Sequence, residues 1–199
     1  MKKKATFKLL IILTLVSVGV FFIFSPGYVV PILMYHHVGK GESSLYVTPE
    51  NFSRQMDFLS KNGYKVISLD RLVGEINKKE KFKPKTVVIT FDDGNKDNYT
   101  YAFAVLKKYN FPSIIFLESD SIDEEGYLSW QEVREMQREG ISFGGHTRRH
   151  QYLPGLSEPE LFDEIVNCKK VIEESTKERI DYFCYPTGGY NEEVKEIVK

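Results

Sequence analysis

The chain has 199 residues, of which 42% are hydrophobic and 28% charged, a composition typical of a globular protein with one domain. Its formal net charge of −1 becomes −5 when the four lysines of the N-terminal segment are left out. The remainder therefore lacks the basic surface that binds nucleic acid or another polyanion, and we expect no nucleic-acid partner.

The first 30 residues differ from the rest of the chain. Lysines at positions 2, 3, 4 and 8 precede 16 apolar or small residues at positions 9–24, and the first acidic residue is Glu42. This pattern is typical of an export signal. The run is long for a cleaved signal and short for a spanning helix, so residues 1–30 are predicted to be a signal peptide or a helical membrane anchor. In both cases the remainder is expected outside the cytoplasm, either secreted or held at the extracellular face of the membrane.

After this segment, predicted strands and helices alternate. Thr48 followed by Pro49 is typical of a helix start, and Ser129 with Glu132 and Ser157 with Glu160 predict capping boxes. The predicted order is strand 31–35, helix 48–62, strand 64–68, helix 69–77, strand 86–91, helix 96–109, strand 111–117, helix 129–140, strand 141–145, helix 157–172, strand 182–185 and a helix from 191.

The spacing of apolar residues predicts which helix faces point inward. In helix 69–77 these are Leu72, Val73 and Ile76. In helix 96–109 they are Tyr101, Val105 and Tyr109.

The alternation of strands and helices, about six times, implies βα units and therefore an α/β fold with a parallel sheet or barrel. The apolar run at 86–91 is typical of a strand that is covered on both faces. No strand follows the helix that reaches Lys199, so we expect an incomplete (β/α) barrel preceded by the N-terminal hydrophobic helix.

Three polar motifs directly follow predicted strands. In parallel sheets, chemistry is concentrated at these C-terminal strand ends. Each motif alone also fits an ordinary role, such as a turn or a packed histidine pair, so it is their coincidence that indicates a site. The motifs are Asp92-Asp93-Gly94, His146-Thr147-Arg148-Arg149-His150 and Tyr185-Pro186-Thr187-Gly188.

Together the motifs predict a metal site. His146 and His150, four residues apart, could face one point from a single helical turn, and with one carboxylate they would form a two-histidine, one-carboxylate ligand set. Of the two adjacent aspartates, one would bind the metal and the other would take a proton from water. The turn around Thr187 supplies a backbone N–H for a developing oxyanion.

The same motifs, read as Thr90-Phe91-Asp92-Asp93-Gly94, His146-Thr147-Arg148-Arg149-His150 and Cys184-Tyr185-Pro186-Thr187-Gly188, resemble the first three motifs of the polysaccharide deacetylases of carbohydrate esterase family 4, the NodB-homology domain. Residues 31–37 and 51–69 are similar to the branch that deacetylates poly-N-acetylglucosamine-type polymers. The resemblance covers residues 31–199, which we interpret as the deacetylase domain.

The resemblance implies a distorted (β/α) barrel and a metal-dependent hydrolase, usually with Zn²⁺. Its substrate would be an N-acetylated sugar polymer such as a cell-surface polysaccharide, an exopolysaccharide or peptidoglycan. Asp92 would be the general base. Asp93, His146 and His150 would be the metal ligands.

The remaining site residues expected from the resemblance are contacts to the substrate. The backbone N–H of Thr187 would bind the oxyanion, and Tyr185 and His36 are expected beside the substrate. His37 is interpreted as a residue that packs the pocket wall.

The chain departs from the family pattern in two ways. Cys184 stands where many members have an arginine, and both Cys184 and Cys168 are interpreted as small apolar thiols. The family's later motifs, including a general-acid histidine, would lie beyond Lys199, so we expect a C-terminally truncated copy. Three alternatives then stay open for the proton donor and activity: Asp92 performs both steps, His36 or His37 substitutes, or the chain is a non-catalytic remnant that binds metal or glycan. An O-acetyl esterase of the xylan type is a further alternative.

Overall fold

The computed structural model describes residues 29–199. The predicted signal peptide or anchor lies outside the described residues, apart from its last two positions. Within 29–199, no helix has the length and hydrophobicity needed to cross a membrane.

A parallel sheet forms the centre of the domain. Strands β1 (Ile32–Tyr35), β5 (Thr86–Phe91), β6 (Ser113–Leu117) and β7 (Ile141–Gly145) lie side by side in that order, and β4 (Lys65–Val66) pairs with the start of β5. Every pair is parallel, so the C-terminal ends of these strands share one edge. The predicted α/β class with a parallel sheet is confirmed. The described strands form an open sheet, and the barrel stays a prediction.

Strand β5 is the central element of the core. All six of its residues are buried, as expected for a strand that is covered on both faces. Its neighbour β1 is more open, with Ile32 and Met34 largely exposed on one face. The remaining pair of strands, β2 (His37–Val38) and β3 (Tyr46–Val47), forms a small separate parallel sheet directly after β1.

Seven α-helices cover the sheet in the described part of the chain. The predicted caps at Thr48 and Ser129 are confirmed, because each side chain accepts a hydrogen bond from the backbone N–H three residues later. Glu132 and Glu160 complete the two predicted capping boxes. The helices are α1 (Pro49–Lys61), α2 (Leu69–Asn77), α3 (Ala104–Tyr109), α4 (Trp130–Arg138), α5 (Glu158–Phe162), α6 (Cys168–Thr176) and α7 (Glu192–Val198).

Wider π-helical turns interrupt two of the predicted helices. One turn, Asn98–Phe103, precedes α3, and the other, Asp163–Asn167, joins α5 to α6. A π turn rotates the helix face relative to an ideal α-helix. The predicted inward face of helix 96–109 is therefore wrong at Tyr101, which is 46% exposed, while Ala102, Phe103 and Leu106 are buried instead.

Two smaller predictions are also corrected. Ile76 is 54% exposed, because α2 packs through Leu72 on a small cluster with Ile67 and Val88, and Ile76 lies beyond it. The predicted strand 182–185 is reduced to one bridge between Phe183 and Gly145.

Candidate metal centre

Two aspartates leave strand β5 at the shared edge of the sheet. Asp93 and Gly94 both have left-handed backbone angles, with φ of +73° and +79°. At Gly94 a Cβ atom would lie 2.8 Å from the side chain of Leu117, so the close approach of β6 also favours glycine. The resulting tight turn keeps both carboxylates at the strand end, where Asp92 is only 5% exposed.

The second part of the site is the segment 146–150, here called the histidine loop, which follows β7. Thr147 and His150 have left-handed backbone angles, with φ of +67° and +54°, so the predicted single helical turn is wrong. The backbone N–H of His150 donates to Oγ1 of Thr147 at 2.9 Å. The loop nevertheless brings the two imidazole rings together, with 4.9 Å between the centroids of His146 and His150.

The two histidines converge on one carboxylate oxygen. Oδ1 of Asp93 lies 3.4 Å from Nε2 of His146 and 3.6 Å from Nε2 of His150. This oxygen is buried and has no hydrogen-bond partner among the described residues, an arrangement that is costly unless a cation completes it. Ligand atoms of the three residues all lie within 4.8 Å of one another. The group therefore fits a divalent cation.

The orientation of His146 is set by the third motif. Its Nδ1 lies 2.8 Å from the backbone carbonyl of Cys184. Because a carbonyl can only accept, Nδ1 carries the proton and Nε2 is directed at the site.

The charges in the site shift the acidities of its members. Burial lowers the pKa of His146, but the attraction of the Asp93 carboxylate, 3.4 Å away, outweighs burial and raises this pKa to about 10. Burial also raises the pKa of Asp93, but the attraction of the nearby imidazoles, that of His146 above all, outweighs this and lowers the pKa below its ordinary value. Such ligand sets release protons when a metal binds, so their metal affinity falls at low pH.

Asp92 has the opposite shift. Burial raises its pKa, and the positive charges of His146 and His36 oppose this effect only in part. Its Oδ1 is buried without a hydrogen-bond partner in the described part of the chain, and its Oδ2 accepts from the Cys184 thiol at 3.7 Å. A carboxylate with a raised pKa beside a cation site is suited to accepting a proton.

Asp92, His146 and Cys184 form a second group with metal-ligand spacing. It shares His146 with the first group, so a cation bound to Nε2 of His146 would have either the first or the second group as its remaining ligands. Each group has a buried carboxylate oxygen without a partner among the described residues, Oδ1 of Asp93 or Oδ1 of Asp92. The first group adds two imidazoles, whereas in the second the Cys184 thiol is already bonded to Asp92. Asp93, His146 and His150 are therefore the better candidate for a cation site.

His36 and His37 lie in different surroundings. Nε2 of His36 is 3.9 Å from Oδ2 of Asp92, so its ring faces the site. His37 points elsewhere, with Nδ1 2.9 Å from Oδ2 of Asp97 and its ring stacked 4.1 Å from Tyr46.

The predicted substrate contacts of the third motif are placed as follows. Thr187 is exposed and left-handed, with φ of +53°, and the hydrogen bonds of its turn are donated by Gly188 and Gly189. Among the described residues, none accepts a hydrogen bond from the Thr187 N–H. The ring of Tyr185 packs against Phe183 and Tyr190 beside a small apolar cluster, and its contact with substrate stays a prediction.

Two residues near the site were missed in the sequence analysis, Asn98 and Glu118. Asn98 is fully buried and donates to the carbonyl of His36 at 2.9 Å, which fixes the segment that carries His36. Glu118 follows β6 directly, and burial raises its pKa. The position of Glu118 directly after a strand could have indicated a site residue. The role of Asn98 could not be predicted in this way, because it depends on a contact with a residue 62 positions away in sequence.

Comparisons with known proteins agree with this geometry. A model of the polysaccharide deacetylase family matches residues 79–199, which include all three motifs. The protein YxkH of Bacillus subtilis (strain 168) is 37% identical over 163 residues, covering 82% of this chain and 58% of YxkH. A poly-beta-1,6-N-acetyl-D-glucosamine N-deacetylase of Staphylococcus aureus (strain N315) is 26% identical over 167 residues, covering 77% of this chain and 57% of the relative.

Among solved structures, the Streptococcus pyogenes deacetylase PplD in complex with acetate superposes with a TM-score of 0.81. It is 26% identical, and the match covers 86% of this chain and 80% of PplD. The chain thus spans a little over half the length of the two curated relatives and most of this solved structure.

Proposed function

We propose that this chain, which belongs to the polysaccharide deacetylase family, is a metal-dependent hydrolase. Its reaction would remove acetyl groups from N-acetylated sugars. The substrate we propose is a cell-surface polysaccharide, exopolysaccharide or peptidoglycan. The name of the S. aureus relative supports an N-acetylglucosamine polymer as the substrate. The metal we propose is Zn²⁺.

One observation carries the proposal. Oδ1 of Asp93 is buried without a hydrogen-bond partner among the described residues and is faced by Nε2 of both His146 and His150. Two neutral imidazoles and one carboxylate are a usual ligand set for a catalytic zinc with open coordination positions. When bound, a zinc ion polarises a carbonyl group and lowers the pKa of water.

Asp92 is the general base in this proposal. The attacking water gives its proton to the carboxylate of Asp92 while its oxygen forms a bond to the acetyl carbon. The raised pKa of Asp92, caused by burial, brings its acidity closer to the working pH than that of an ordinary aspartate. The thiol of Cys184 contacts Oδ2 and holds this carboxylate in place of the arginine of other family members.

The remaining steps use His36 and Thr187. The N–H of Thr187 donates to the oxyanion that develops on the acetyl oxygen. The C–N bond then breaks, acetate leaves, and the sugar nitrogen gains a proton to become an amine. His36 is the described imidazole that faces Asp92 without being a metal ligand, so we assign it as the donor of that proton.

Two finer features belong to the same proposal. The fold we propose for the domain is a distorted (β/α) barrel. The lysine-rich, apolar segment 1–30 supports secretion or anchoring at the extracellular face of the membrane, where glycan polymers are found.

The test is acetate release from N-acetylglucosamine oligomers by the purified chain, first stripped of metal and then reconstituted with zinc. We expect release that requires zinc and is lost in Asp92→Asn, which keeps the metal ligands and removes the base. A matched O-acetylated xylan oligomer serves as the competing substrate.

Other outcomes select other functions. Folded, zinc-bound protein that releases no acetate from either substrate would be a non-catalytic binding protein. Release from the xylan oligomer alone would make the chain an O-acetyl esterase. Undiminished release by Asp92→Asn would overturn the assignment of the base.

A further inference from the structure

The histidine loop has a conformation that its own sequence does not favour. Thr147 and His150 have left-handed backbone conformations although neither is glycine, and Thr147 is β-branched. Such conformations persist where the surrounding structure imposes them. The loop must therefore be held from outside, and the contacts that hold it decide whether both imidazoles point at Asp93.

A buried carboxylate provides the central contact. Glu164 is fully buried, and its Oε2 accepts hydrogen bonds from the backbone N–H groups of Arg148 and Arg149, both at 3.0 Å. Its Oε1 accepts from Nε of Arg149 at 2.7 Å. One side chain thus binds two consecutive amides between the two histidines, at the point where the loop turns.

The placement of Glu164 depends on the π-helical turn Asp163–Asn167. The neighbouring Asp163 uses the same turn to bind the outer ends of both guanidinium groups, at 2.6 Å from Arg148 and 2.7 Å from Arg149. π turns occur frequently at functional sites because they redirect side chains from an otherwise regular helix. Here, adjacent carboxylates contact the same loop, one at its backbone and the other at its exposed side chains.

We propose that Glu164 is a positioning residue, which holds the histidine loop in the conformation that presents His146 and His150 to the cation site. The part of this inference that concerns metal binding rests on the proposed function. Glu164 itself touches neither ligand atom. It acts through the backbone of residues 148 and 149, and its charge is compensated by Arg149.

The test uses Glu164→Gln, which keeps the size of the side chain but leaves one neutral acceptor oxygen where the carboxylate accepts from two backbone amides and from Nε of Arg149. In metal-free protein we expect hydrogen exchange of the Arg149 amide to rise at least about ten-fold, since a neutral oxygen is a weaker acceptor than the carboxylate. The Arg148 amide should respond less, because it also donates to the backbone carbonyl of Glu164 at 3.1 Å. Zinc affinity, measured by competition with a chromophoric chelator, should fall about 10- to 100-fold, as for other residues that orient metal ligands.

Asp163→Asn is the matched control. It removes a carboxylate that contacts the guanidinium groups and the Asn167 side chain, and it leaves the Glu164 hydrogen bonds intact. Because exposed ion pairs contribute little, zinc affinity should change by less than about five-fold. The amides of β5 report global opening, so a rise in their exchange measures the general loss of stability in each variant, and the loop effect is the rise at the loop amides beyond it.

Unchanged loop exchange and zinc affinity in Glu164→Gln would overturn the proposal. A rise in exchange that is as large in β5 as in the loop would also overturn it, since that indicates general destabilisation. Should Glu164→Gln fail to fold, Arg149→Met tests the same contact through its half-exposed partner. It removes the bond to Oε1, and no increase in exchange of the loop amides would then count against the proposal.

These measurements need no substrate, so they separate the two proposals. A protein that binds zinc and shows the expected loop effects but releases no acetate would refute the proposed activity alone. A wild-type protein that binds no zinc would refute the proposed metal site, and exchange at Arg148 and Arg149 would still decide whether Glu164 holds the loop.

Discussion

His36 and His37 are adjacent, yet only His36 faces Asp92. We expect His36→Ala to lower the rate constant for acetate release about 10²- to 10⁴-fold, the usual contribution of one proton-transfer group. Zinc affinity should stay near the wild-type value, because His36 is not in the ligand set. The measurement is steady-state acetate release at saturating zinc, with a chelator titration alongside.

His37→Gln is the control for that prediction. The ring of His37 stacks on Tyr46 and bonds to Asp97, so its loss should lower the melting temperature more than the rate. A larger rate loss for His37→Gln than for His36→Ala would contradict the assignment of the proton donor.

Thr187 offers a prediction that separates its backbone from its side chain. Its φ of +53° is unfavourable for a β-branched residue, and glycine adopts it freely. Thr187→Gly should therefore stabilise the fold by about 1 kcal/mol, since left-handed backbone is costly for other residues. It keeps the N–H, so acetate release should remain. Loss of release with an unchanged fold would show that the hydroxyl or methyl group is needed.

At the residue scale, the sequence was sufficient to predict which side chains come together at the sheet edge. Asp93, His146 and His150 converge as predicted, because parallel strands bring residues at their C-terminal ends to one edge. The roles of these residues stay predictions. What the sequence could not show was the direction of each side chain. His37 is turned away by Asp97 and His146 is oriented by the carbonyl of Cys184, and both contacts join residues far apart in the chain.

At the element scale, local chemistry predicted most strands and helix starts. Capping at Thr48 and Ser129 depends on a residue and its neighbour three positions later, which the sequence displays directly. The π turns depend instead on distant partners. Glu164 meets the histidine loop only after folding, so apolar periodicity could not reveal the turn that places it.

The turn Asp163–Asn167 yields a pH prediction. Hydrogen bonds from Asn167 and then Arg148 lower the pKa of Asp163 below its ordinary value of 3.8. A carboxyl group whose pKa is lowered by folding stabilises the fold above the unfolded pKa, and this contribution is lost as the pH falls through the folded pKa. Asp163→Asn should therefore lower the melting temperature at pH 7, and the difference from wild type should narrow below about pH 4.

Melting curves of both proteins between pH 3 and 7 measure this effect. A difference that is constant over the whole range would mean that ionisation of Asp163 contributes nothing to stability. Lys169→Gln provides a comparison, since it breaks an exposed i, i+4 pair on α6 and should have little effect at any pH.

At the scale of the whole molecule, the alternation of strands and helices was enough to predict a parallel sheet. The order of strands was less accessible, because β1 lies beside β5 rather than beside its sequence neighbour. Pairing between strands is decided by packing of whole layers, which short patterns do not encode. The site depends on this order, since β5 and β7 must lie two strands apart, with β6 between them, for Asp93 and the histidine loop to meet.

Because the proposed ligands come from two separated strand ends, metal binding should stabilise the whole domain. Zinc that binds only the folded state at 100 times its dissociation constant should add about 2.7 kcal/mol to the free energy of unfolding. For a domain of this size, that corresponds to a rise of about 5–10 °C in melting temperature. Asp93→Asn should lose the rise at the same free zinc concentration, whereas Asp92→Asn should keep it, because Asp92 lies outside the assigned ligand set. An equal rise in Asp93→Asn would place the zinc elsewhere, and loss of the rise in Asp92→Asn would favour the alternative group that contains Asp92, His146 and Cys184.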